Sequence, residues 1–150
     1  MRTGLQLALF GRITLATAFG FLIGLERQWR GKPAGDRTFA LLALGASSFA
    51  ALAIELFPTS ADRVIQGVVT GVGFLGAGII FQTHERPQGL TTAAAAWAAT
   101  GIGVLCGVTL YLTAGLTTIL TILVLESISL PGVSRLETPP TEPSDPGRED

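Results

Sequence analysis

The chain has 150 residues and a formal net charge of −1, with charged side chains at only 14% of positions, against roughly 25% in soluble domains. Cys106 is the one cysteine, which excludes a disulfide within the chain, and the near-neutral charge leaves no footprint for nucleic acid. Nineteen glycines and a mean hydropathy of +0.52 point instead to an all-α integral membrane bundle with glycine-rich packing.

Five apolar segments follow in chain order. The first is about 5–25, "LQLALFGRITLATAFGFLIGL". Its positive charges come after the apolar stretch, whereas a signal peptide carries them before it, so an uncleaved first helix fits better. The second segment is about 39–57 and the third about 64–81. A further uncharged stretch lies between Arg86 and Glu126. It is about twice the ~20 residues that cross a bilayer once. A split near "CGVTLY" gives segments at about 90–107 and 109–129, with a four-span topology as the alternative. From Pro131 the chain reads "PGVSRLETPPTEPSDPGRED", too polar and proline-rich to bury an apolar face. The predicted organisation is a transmembrane domain over 1–130 and a disordered tail over 131–150.

Lysine and arginine in short loops set orientation. Arg27, Arg30, Lys32 and Arg37 share the first loop, and Arg86, Arg135 and Arg148 fall on the same side; Arg2 and Arg63 lie opposite. The N-terminus is therefore placed outside and the C-terminus in the cytoplasm.

The third segment contains "GVGFLGAG". Gly71, Gly73 and Gly76 have the spacing of a dinucleotide-binding turn, but that fingerprint needs a preceding strand and an acid about 20 residues on. Neither is present, and no cofactor is predicted. Gly20 and Gly24, Gly67 and Gly71, and Gly103 and Gly107 are each four apart, the spacing that lets membrane helices approach closely. Gly73, Gly76 and Gly78 extend this pattern, and Gly76 and Gly78 are expected to meet another helix, within the subunit or across a dimer. A thin helix lining a pathway is the other reading of the same glycines.

Intramembrane charge is costly and usually partnered. Arg12, within the first helix, and Glu55, near the end of the second, fall at matching depth and are placed to pair. The densest polar stretch is "GLERQWRGKPAGDRT", residues 24–38. It reads as a loop that fixes orientation and anchors to anionic lipid, with Trp29 at the interface. Its sharper reading gives Glu26 and Asp36 as carboxylates for a magnesium ion, which takes one or two such ligands and keeps its waters. Arg27 and Arg37 are expected to organise this mouth with Glu26 as the partner of one of them, and Arg30 to sit in solvent. His84, without cysteine partners, makes a poor zinc ligand. With no nucleophile–base set, an enzyme is not expected.

"GFLIGLERQWRGKPAGDRTFALLALGA", "GVGFLGAGIIF" and "GLTTAAAAWAATGIGVLCG" closely resemble the MgtC/SapB family of bacterial inner-membrane proteins, over about Arg12 to Tyr111. The family pattern carries over to Arg12, Glu26, Arg27, Gly35, Arg37 and Thr38, to Gly73, Gly76 and Gly78, and to Thr91, Thr92 and Trp97. Asp36 departs from it, standing where the family often has an apolar residue. The resemblance is to the membrane part alone, without the cytoplasmic C-terminal domain of longer members. It implies magnesium homeostasis and adaptation to scarce magnesium, with a virulence role in pathogenic members. It also implies restraint of the ATP synthase as a membrane partner. A regulatory protein acting through partner binding in the bilayer, as a homodimer or other homo-oligomer, is the reading adopted. A homo-oligomeric transporter of magnesium or another cation is the alternative, and would need acids or carbonyls at mid-membrane.

Overall fold

The computed structural model describes residues 2–81 and 89–127. His84, Arg86 and the whole tail from Pro131 lie outside them. Five helices follow one another: α1 (Arg2–Trp29), α2 (Asp36–Leu56), α3 (Ala61–Phe81), α4 (Leu90–Gly107) and α5 (Tyr111–Ser127). A single 3-10 turn, Pro58–Ser60, joins α2 to α3. Helices α1 to α4 are long and apolar enough to cross a membrane, while α5 is shorter at 17 residues. At ~1.5 Å per residue α5 still extends about 26 Å. The glycine run that mimicked a nucleotide-binding turn lies inside α3, with no strand before it.

Local chemistry explains where the helices stop. After Trp29 the chain closes α1 with two reversed hydrogen bonds, Gly31 N–H to the Gln28 carbonyl at 3.0 Å and Lys32 N–H to the Arg27 carbonyl at 2.9 Å. This arrangement needs a left-handed residue just beyond the helix, and Gly31 supplies it with φ +62°. The end of α4 is built the same way. Thr109 N–H bonds to the Cys106 carbonyl at 3.1 Å and Leu110 N–H to the Leu105 carbonyl at 2.8 Å. Here the left-handed position, φ +67°, is held by Thr109, a branched residue that pays strain there. The uncharged stretch thus divides at 108–110, inside the "CGVTLY" segment marked by the sequence.

Packing makes α2 the central element. Its buried face is nearly all small: Ala43, Ala46, Ser47, Ala50, Ala51 and Ala53, with Phe39 at one end. Glycines of two neighbours press on it from either side. A Cβ on Gly20 or Gly24 of α1 would lie 2.7 Å from the Ala43 Cβ or 2.5 Å from the Asp36 Cα. One on Gly103 or Gly107 of α4 would lie 2.5 Å from the Ala43 carbonyl oxygen or 2.8 Å from the Ala50 Cβ. Contacts this close have no room for a side chain, which is how helices gain dispersion energy in lipid. Ile23, Ala95, Ala96, Ala99, Ile102 and Cys106 complete the core around α1 and α4. Helix α3 stands at the edge, with little of its surface buried.

Candidate functional site

Charge gathers at the two ends of this core. At one end, Arg12 of α1 reaches across to Glu55 of α2, Nη2 to Oε1 at 2.9 Å. Its Nη1 donates to the Gly107 carbonyl at 3.4 Å. Gly107 is the last residue of α4, so the cation meets an orphan carbonyl at the negative end of that helix. One guanidinium therefore ties α1, α2 and α4 together. The Arg12 side chain is 11% exposed, and its Nε has no hydrogen-bond partner.

At the opposite end, Glu26 and Arg27 form a two-pronged pair. Arg27 Nε donates to one Glu26 oxygen, and Nη2 donates to the other at 2.6 Å. Both side chains are more than 90% buried. Arg30, one turn on, adds a weaker contact to Glu26 at 3.7 Å and a direct ion pair to Glu126 of α5. The chain Arg27–Glu26–Arg30–Glu126 alternates in sign and closes α1 against the end of α5. Its inner half is dry and its outer half wet. Removing one member of the dry pair would strand a buried charge, whereas the outer pair is screened.

Two expectations need correction here. Arg30, assigned to solvent by the sequence reading, belongs to this ion-pair chain. Glu26 and Arg30 had the favourable four-residue spacing of a helical pair, and that signal was available. Arg37, expected to organise the mouth, is exposed. Among the described residues it has no side-chain ion pair, and its backbone N–H donates to Asp36 Oδ1 at 2.7 Å.

The carboxylates named for a metal do not converge. Gly24 and Gln28 of α1 face Asp36, the first by close approach and the second through Gln28 Oε1 at 3.4 Å from the Asp36 N–H. Glu26 lies midway between them in sequence, hence on the far side of the helix at 3.6 residues per turn. Its oxygens are taken by Arg27 and Arg30. Among the described residues there is no group of three or more His, Cys, Asp and Glu placed to hold a metal.

The remaining motif residues scatter. Gly35 precedes α2 as its N-terminal cap residue, and a Cβ there would come within 2.6 Å of Gln28 Oε1. Thr38 and Thr91 are exposed, while Thr92 is buried. Trp97 is half-exposed beside an apolar groove of about 370 Å³ between α3, α4 and α5. Gly73 and Gly78 face open space, and Gly76 meets only the Ala93 Cβ at an ordinary 3.8 Å. The close approach expected of Gly76 and Gly78 is absent within the subunit; Gly20, Gly24, Gly103 and Gly107 make it instead.

With two charged ends and a dry core in view, the comparisons with known proteins fall into place. The sequence profile of the MgtC family matches residues 13–130. The chain belongs to the MgtC family. Among curated MgtC relatives, Protein MgtC of Salmonella typhimurium is 49% identical over 92 residues, which is 61% of this chain and 40% of that protein. Protein MgtC of Brucella abortus is 45% identical over 113 residues, 73% of this chain and 48% of that protein. The chain thus spans about half, or less, of the length of the MgtC proteins it matches. No solved structure matches it. The MgtC match, together with four helices of spanning length, makes this a multi-pass membrane protein.

Proposed function

We propose that this protein serves magnesium homeostasis and growth in scarce magnesium from the bacterial inner membrane, and that it acts by gripping a partner helix within the bilayer. The observation that carries this reading is the open face of α3. Gly67, Gly71 and Gly78 have nothing within 4 Å of where a Cβ would stand, and Phe74, on the same face, is 81% exposed. Small residues with one large neighbour form a surface that a second helix can approach closely, the main source of helix association in lipid. A second copy of this chain is the first partner to seek, and the family resemblance adds the ATP synthase.

The interior supports the same reading over transport. The uncharged polar groups buried among the described residues are the hydroxyls of Ser47, Thr92, Thr100 and Thr118. Thr100 and Thr118 donate to their own helices. The intramembrane acids Glu26, Glu55 and Glu126 all sit at helix ends in ion pairs.

The test is reconstitution in liposomes with a trapped magnesium indicator, alongside disulfide trapping of Gly71→Cys in a Cys106→Ala background. The expected result is magnesium entry no faster than in empty liposomes, with a cross-linked dimer in membranes. Entry that scales with protein content would replace this reading with the transporter.

A further inference from the structure

Arg27, Arg30, Lys32 and Arg37 lie in and on either side of the connection between α1 and α2, and the structure divides these four cations into two kinds. Arg27 and Arg30 are neutralised by Glu26 and Glu126. Lys32 and Arg37 are exposed, and neither has an ion pair among the described residues. Asp36, the first residue of α2, accepts at Oδ1 from the Arg37 backbone N–H. Trp29, at the end of α1, is 81% exposed. Gly31 and Ala34, both with φ +62°, bend the short connection so that Trp29, Lys32 and Arg37 remain at the same end of the bundle.

We propose that Trp29, Lys32 and Arg37 form a docking surface for the headgroups of anionic phospholipid in the leaflet at this end. The complementarity is of two kinds. An indole at the end of a membrane helix lies at headgroup depth, with its ring in the boundary and its N–H toward water. The two exposed cations near it meet the phosphates, where each contributes about fivefold to lipid preference, equivalent to ~1 kcal/mol. A zwitterionic headgroup places its own cation near theirs and gains less. A soluble acidic protein is the competing partner, but Trp29 ends a spanning helix, so the leaflet is the surface it meets first.

The experiment uses the full chain with Trp97→Phe, leaving Trp29 as the sole tryptophan, reconstituted in phosphatidylcholine vesicles. A fixed fraction of the lipid is brominated phosphatidylglycerol or, in parallel, brominated phosphatidylcholine. Quenching of Trp29 gives the relative occupancy of the two. Severalfold preference for phosphatidylglycerol is expected. It falls toward one in the Lys32→Gln/Arg37→Gln variant and in high salt, where the screening length shrinks from ~10 Å at 0.1 M to ~3 Å at 1 M. Asp36→Asn, which keeps an acceptor oxygen for the Arg37 N–H and removes the acid, raises the preference. Arg63→Gln, at the other end of the bundle, leaves it unchanged. Equal quenching by the two lipids, or a preference indifferent to Lys32, Arg37 and Asp36 alike, overturns the proposal and leaves these cations to a soluble partner.

Discussion

Arg27, Arg30 and Arg37 look alike in the sequence and meet three different environments. Arg27 is buried against Glu26, so Arg27→Gln strands a carboxylate and is expected to cost about 3 kcal/mol or more. Arg30 is 40% exposed and its partner Glu126 45%; Arg30→Gln is expected to cost about 1 kcal/mol or less, and less still in high salt. Arg37→Gln, at an exposed position, is expected to stay within about 0.5 kcal/mol. Unfolding midpoints of the three variants in one detergent check this ranking. A larger loss from Arg37 than from Arg27 would mean that the ion-pair chain is not what holds this end. At this scale the sequence was half legible. Matching depth was enough to pair Arg12 with Glu55. It did not separate Arg30 from Arg37: the four-residue spacing of Glu26 and Arg30 hinted at a pair, but Glu126 stands 96 residues from Arg30 and only the fold brings α5 to it.

Among elements, the glycines show what spacing can and cannot say. Three pairs within helices stand four residues apart, each on one helix face. Gly20 with Gly24, and Gly103 with Gly107, are pressed against α2; Gly67 and Gly71 face open space. The spacing specifies a face able to accept a close neighbour, and the neighbour is chosen by the remaining helices. Ala-rich α2 has two sides and fills both, leaving α3 at the edge. Gly103→Ala places a methyl 2.5 Å from a backbone oxygen, and overpacking of this kind costs typically ~1–3 kcal/mol. Gly71→Ala meets nothing in the monomer and is expected to leave its stability unchanged. Thermal unfolding of the monomer, scored beside oligomer size, separates the two effects. A Gly71 variant that unfolds as readily as the Gly103 variant would place α3 in the core.

For the whole molecule, the helical bundle was the most legible level. A bilayer leaves the backbone few choices, so length and hydropathy nearly determine the spans. Each helix lies within a few residues of its expected place. The turn between α4 and α5 was the harder case. It carries no glycine, proline or charge, and Thr109 adopts the left-handed conformation that glycine would signal. Arg12 joins the end of α2 to the end of α4, which places Pro58 and Thr109 on one face and Lys32 on the other. Single cysteines at these three positions, in a Cys106→Ala background, are expected to label accordingly with a membrane-impermeant reagent. Shared labelling of Lys32 and Pro58 would break the alternation of spans.

The Arg12 bridge has a consequence for how the chain is made. Ribosomes deliver α1 first, when neither Glu55 nor the Gly107 carbonyl exists, and the latter lies 95 residues further on. A lone arginine inside a helix is disfavoured in the membrane by roughly 2.5–3.5 kcal/mol on insertion scales. The nascent α1 is therefore expected to wait at the insertion machinery until α2 emerges, and the two to enter as a hairpin with Arg12 already neutralised. Glycosylation mapping of chains truncated before and after α2 reads this directly. Insertion of α1 should rise when α2 is included and fall back with Glu55→Gln. Equal insertion of α1 in every chain would show that the bridge forms only after the helices are in place.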